Sequence, residues 1–231
     1  MFSILLLLAS MVSAQTATPA HPPNALTLAV KGGGSHGTLA VTTDGIVFQA
    51  ADAKKARQWA YRELKQVRIV SSREIALHTY EDRSRWGFGA DRTVEFRLIE
   101  GAIDGLLVAY LLEHVQPPLS SAVMPAGLGE PTLRVAVKHR RGTRGTHGTL
   151  VIYPSGLAYE TASDGGSRYW RLGDVDSILR TSPRSLLIDV YEAGRVRPFV
   201  LELKEPLPNA LFDALWQQVN PPAPRAKAGA R

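Results

Sequence analysis

The sequence predicts a mainly β protein with some α structure: two repeated seven-stranded, partly open β-barrels, each capped by one C-terminal helix. Three observations predict it. A block in the first half recurs 111 residues later, short apolar runs alternate with period two between turn residues, and an amphipathic helical pattern closes each half.

The chain begins with a targeting signal. Phe2 to Met11 is almost wholly apolar, and Val12-Ser13-Ala14 places small residues where a signal peptidase cuts, so residues 1–14 read as a signal peptide of an exported, periplasmic or secreted protein. The apolar run is too short to span a bilayer, which predicts no transmembrane segment in the mature chain. With 45% hydrophobic and 21% charged residues, the remainder has the composition of a folded protein. The chain contains no cysteine, which excludes disulfides, thiolate metal sites and cysteine nucleophiles together.

His36-Gly37-Thr38-Leu39 recurs as His147-Gly148-Thr149-Leu150, and at the same offset Gly45, Phe48 and Trp59 meet Gly156, Tyr159 and Trp170. Residues 24–118 and 130–222 therefore read as two copies, 119–129 as a Pro/Gly/Ser-rich linker and 223–231 as a disordered basic tail. Strands are predicted near 26–31, 37–43, 45–50, 57–62, 66–71, 74–80 and 93–99. The second set lies near 132–139, 147–153, 156–161, 168–172, 177–181, 185–191 and 198–204, with Asp44-Gly45 and Ser155-Gly156 as hairpin turns. Ile103, Leu106, Leu107, Tyr110, Leu111 and Val115 share one helical face, as do Leu207, Ala210, Leu211, Ala214, Leu215 and Val219. Pro208 suits a first turn.

Seven strands followed by a helix, with a tryptophan in a middle strand, resembles the pleckstrin-homology-like fold in both copies, by element order. That resemblance implies two bent antiparallel sheets plugged at one end by the helix. It also implies a domain that binds inositol phosphates, peptides or proteins, or acts as a scaffold. Lipid-binding members use a Lys in the first strand and an Arg-x-Arg in the second. Lys138 with Arg140, Arg141 and Arg144 stands near those positions, while the second strand carries His147 and Thr149.

The net charge of +6 is unevenly spread: Arg225, Lys227 and Arg231 supply half of it from the tail, and the two copies carry only +1 and +2. A dense basic face is absent from this balance, so nucleic acid is not an expected partner. Gly32-x-Gly34-x-x-Gly37 matches a dinucleotide fingerprint and Gly33-x-Ser35-x-Gly37 a nucleophile elbow. Both chemistries need a helix next, whereas Thr38-Leu39-Ala40-Val41-Thr42 and an Asp-Gly turn follow. His36 and His147 read as local structural residues at strand starts, and no second ligand lies at metal spacing from either. His78, His114, His139 and His21 stand alone, and Trp59 and Trp170 read as core.

Two asymmetric elements remain as candidate sites. The loop Asp82–Arg92 is a candidate partner-binding surface through Arg83, Arg85, Trp86, Phe88 and Arg92, aromatics and arginines on a Gly-hinged loop. The hairpin Lys138–Arg144 is a candidate anion site through Lys138, Arg140, Arg141 and Arg144. The functional expectation is an exported, non-catalytic tandem module that binds a protein or peptide or serves as a scaffold, with no cofactor or metal. An anionic-surface binder using Lys138–Arg144 is the alternative, and a hydrolase built on Ser35 and a histidine the third reading.

Overall fold

The computed structural model describes residues 26–82, 91–142, 144–163 and 165–220. The signal segment 1–14, the tail 223–231 and the candidate residues Arg83, Arg85, Trp86 and Phe88 lie outside the described residues.

Alternating apolar residues set the strands. In chain order they are β1 (Leu26–Gly32), β2 (Ser35–Val41), β3 (Gly45–Ala50), β4 (Arg57–Ala60), β5 (Leu64–Ser71), β6 (Glu74–Asp82) and β7 (Asp91–Leu98). Helix α1 (Gly105–His114) follows, then β8 (Leu119–Ser121), β9 (Leu133–Arg141), β10 (Arg144–Tyr153) and β11 (Gly156–Glu160). The chain continues with β12 (Arg168–Arg171), β13 (Val175–Ser182), β14 (Ser185–Glu192), β15 (Arg195–Leu203) and helix α2 (Asn209–Val219). The β7 pattern Val94, Phe96, Leu98 inward and Thr93, Glu95, Arg97 outward shows the period-two rule at work.

The two repeated, helix-capped barrels expected from the sequence are replaced by one open sheet of fifteen strands, ordered β13-β14-β15-β9-β10-β11-β12-β8-β5-β6-β7-β1-β2-β3-β4. Its ends are β13 and β4. Barrel closure requires the outer strands of a sheet to pair with each other, and among the described residues β13 and β4 make no such pairing. The physical reason for continuity is β8. Leu119, Ser120 and Ser121, inside the stretch expected as linker, are buried and pair antiparallel with β12 and parallel with β5. A polar dipeptide hid a strand because its amides, rather than its side chains, supply the pairing.

Three apolar clusters line this sheet. One gathers Val30, Leu39, Phe48, Trp59, Phe96 and Leu111; another gathers Val137, Tyr159, Trp170, Ile188, Phe199 and Leu215. Trp59 and Trp170 are thus core residues, each in contact with a phenylalanine ring, at 6.2 Å from Phe96 and 4.7 Å from Phe199. A third, smaller cluster of Val151, Tyr153, Ala158 and Tyr169 packs beneath Leu112, Met124 and Leu128, tying α1 to the β10–β12 region.

The first helix buries a different face from the one its stripe predicts. Asp104 caps it, its carboxylate accepting from the Leu107 N–H at 2.9 Å, so Ile103 lies before the helix rather than on it. Ile103 and Val108 then occupy the two positions of a hydrophobic staple, both buried in the same core. The buried face becomes Leu107, Val108 and Leu111, and Leu106 is 71% exposed. In α2 only Leu215 is fully buried, with Leu211, Phe212 and Val219 partly covered; Pro208 is the N-cap residue.

Candidate functional site: an arginine-lined cleft

The candidate anion site Lys138–Arg144 is mostly strand rather than loop, and strand alternation divides it. Lys138 and Arg140 share one face of β9, where Arg140 pairs with Glu202 at 3.3 Å. His139 and Arg141 share the other. Arg144 opens β10 opposite Arg141 and is exposed.

His139 and Arg141, with Arg140 beside them, line a cleft of about 700 Å³ whose walls come from four further strands. Arg68 arrives from β5, Arg168 from β12, Glu192 from β14, and Arg195 to Val200 from β15. Arg195, Arg197 and Phe199 share a face of β15, and of the three only the phenylalanine is buried. Sequence reasoning missed Arg68, Arg168, Arg195 and Arg197, because only the sheet brings them to Arg141. The signal available was Arg195-Val196-Arg197, two cations at strand spacing ahead of Phe199.

The cleft's charges are not balanced within it. Arg168 is engaged through two of its nitrogens, Nε donating to Glu192 Oε1 at 2.6 Å and Nη1 to the carbonyls of Gly165 and Ser167 at 2.6 and 2.7 Å. Among the described residues Arg68, Arg141, Arg195 and Arg197 have no acidic partner. The Nε atoms of Arg68 and Arg197 are buried without a hydrogen-bond partner, and so is Nδ1 of His139. His139 is 3% exposed, stacked on Phe199 at 4.6 Å and edge-on to Tyr159 at 5.4 Å. Burial, reinforced by Arg141 and Arg168 and opposed by Glu192, pushes its imidazole down to about 4. A second cavity of about 330 Å³ shares the wall of His139, Arg141 and Arg168, and is otherwise lined by Thr146, Tyr159, Thr161, Ser163 and glycines.

The other histidines divide sharply. His36 and His147 are exposed. His78 is buried: its Nδ1 lies 2.9 Å from Thr93 Oγ1, and burial together with Arg68 pushes it below the usual imidazole range. The Gly32–Gly37 segment is the β1–β2 hairpin, with Gly33 and Gly34 at φ 56° and 79°, and Ser35 Oγ donates to the neighbouring His36 carbonyl. The geometry of a nucleophile elbow, strand to helix, is replaced by strand to strand. Arg92 pairs with Glu81 at 3.5 Å. Among the described residues no cluster of His, Asp and Glu is placed to hold a metal ion, and no helix is long and apolar enough to cross a membrane.

The fold and cleft define a β-rich protein with a cationic cleft along a strand. No family model matches the chain, and no curated protein matches it.

Proposed function

We propose that this protein is a non-catalytic binding module that holds an anionic part of its partner in the arginine cleft, and that it works outside the cytoplasm after removal of its first 14 residues. The observation that carries the binding reading is the pair of buried guanidinium donors, Arg68 Nε and Arg197 Nε, which have no partner among the described residues and line one cavity together with the equally unpartnered Nδ1 of His139. Leaving a buried polar group unmade costs about 1–3 kcal/mol, more for a charged one, and a bound oxyanion relieves that cost. The edge of a guanidinium that contains Nε is one of those that accept a carboxylate or phosphoryl group through two parallel bonds.

The test is titration calorimetry with citrate and with poly-glutamate at low and moderate salt, on the parent, Arg68→Gln, Arg197→Gln and, as a surface control, Arg62→Gln. Arg68→Gln and Arg197→Gln are each expected to weaken binding about tenfold, equivalent to about 1.4 kcal/mol, with Arg62→Gln unchanged. Equal affinity for all four proteins, or no binding of either probe to the parent, overturns the reading.

A further inference from the structure

The ladder between β15 and β9 stops early. Their pairing runs from Leu203↔Val137 to Val200↔Arg140, while β15 continues to Arg195 and stays paired on its far side with β14 out to Glu192↔Arg195. Between Arg195 and Phe199, then, β15 has a described neighbour on one side only. The consecutive residues Arg195 to Val200 all line the cleft, although a strand sends alternate side chains to opposite faces. A cavity bordered by every residue of such a run lies along the strand's edge, not over one face. Pro198 sits in this run, as proline within sheets is confined to edges, strand starts and bulges. Because the Lys204 N–H bonds the Ala136 carbonyl at the start of β9's run beside β15, even-numbered residues of β15 face that side, so the free edge offers the Val196 N–H and the carbonyls of Val196 and Pro198.

We infer that the ligand of the cleft is an extended acidic peptide segment that adds as a strand to the free edge of β15 at Arg195–Phe199, in line with the end of β9, and meets Arg68, Arg141, Arg195 and Arg197 with its carboxylates. This rests on the anion-binding reading and sharpens it. Main-chain pairing supplies the register, and the arginines select acidic side chains. Val196, 47% exposed, and Pro198 at the rim favour a partner that alternates acidic with apolar residues. A compact anion satisfies the charges but leaves the backbone edge unused.

Three probes separate the possibilities on the full chain: an alternating Glu/Val peptide, the same peptide N-methylated at alternate backbone amides, and citrate. Strand addition is expected to make the unmodified peptide at least about tenfold tighter than its N-methylated form, and to slow exchange of edge-facing amides upon binding, which within Arg195–Phe199 means Val196. N-methylated peptide and citrate binding as tightly as the unmodified peptide, with unchanged exchange at β15, overturns strand addition and leaves the anion reading standing. Failure of all three probes to bind overturns both. A concentration-dependent dimer whose contact protects the same amides and excludes the peptide assigns the edge to a second copy, and also overturns the inference.

Discussion

Arg171 and Asp174 form a two-bond ion pair, Nε to Oδ2 at 2.7 Å and Nη2 to Oδ1 at 3.0 Å, at the point where α1 meets the sheet. The same guanidinium donates to the carbonyls of Leu112, Val115 and Pro117, at 3.2, 2.7 and 2.9 Å. These carbonyls lie in or just beyond the last turn of α1 and lack partners within the helix. Asp174 in turn accepts from the Leu119 N–H of β8 at 3.1 Å, so one pair binds the helix end, β8 and β12 together.

Arg171→Ala is therefore expected to cost about 3–5 kcal/mol, because it strands a largely buried carboxylate as well as three carbonyls. Arg171→Lys keeps the charge but loses the fork and should fall between parent and alanine variant. Urea denaturation measures both. A loss no larger than that of an exposed pair, under about 1 kcal/mol, shows that the seam is held elsewhere.

Gln66 makes a comparable link from β5. It is fully buried; its Nε2 donates to the Tyr191 carbonyl, and its Oε1 accepts from the Ala193 N–H at 2.9 Å. Ala193 and Gly194 turn the β14–β15 hairpin with φ of 55° and 79°, the positive pair that a tight hairpin requires. Gln66→Leu should cost about 1–3 kcal/mol by leaving two backbone groups buried and unpaired. Ala193→Gly, which relieves the left-handed alanine, should be tolerated or slightly stabilising. Denaturation midpoints at constant slope decide both.

Adjacent leucines in α1 give a direct test of the corrected helix face. Leu107 is 5% exposed in the core and Leu106 is 71% exposed, though the sequence stripe contains both. Leu107→Asp should lose several kcal/mol, a large share of a domain stability of roughly 5–15 kcal/mol, whereas Leu106→Asp should change it by no more than about 0.5 kcal/mol. Similar melting shifts for the two would restore the face read from the sequence.

These cases show what was legible. Strand positions followed from alternation, because half-buried strands imprint their period on the chain, and β14 fills 185–192 where 185–191 was expected. The helix face failed at Asp104: a cap sets where the helical phase begins, and a stripe counted from Ile103 starts one element too early. The open sheet was hidden because Leu119-Ser120-Ser121 pairs through backbone amides that carry no residue signature. Within the cleft, Arg140 and Arg141 were visible as a basic cluster. Their neighbours Arg68 and Arg197 stand 129 positions apart in sequence and meet only through sheet order.

His139 gives the cleft a pH dependence with a definite sign. In the unfolded chain its imidazole titrates near its ordinary 6.5; in the folded protein it is pushed down to about 4. Between these values the unfolded state binds more protons, so folding stability rises with pH there and is lost as pH falls from about 6.5 toward 4. The slope approaches about 1.4 kcal/mol per pH unit at most. His78, depressed by burial and by Arg68, acts in the same direction. His139→Phe, which keeps a ring against Phe199 and Tyr159, should flatten the slope, with His78→Phe removing a further part. Ring-proton NMR of the folded protein should place the His139 midpoint well below 6, and saturation with a cleft-bound anion should move it upward, because negative charge beside an imidazole favours its protonated form. Binding must then take up protons, so the anion's affinity increases as pH falls through the range in which the free protein begins to titrate. A His139 midpoint at 6.5 or above without ligand, or one that saturating anion leaves in place, would separate this histidine from the cleft's charge.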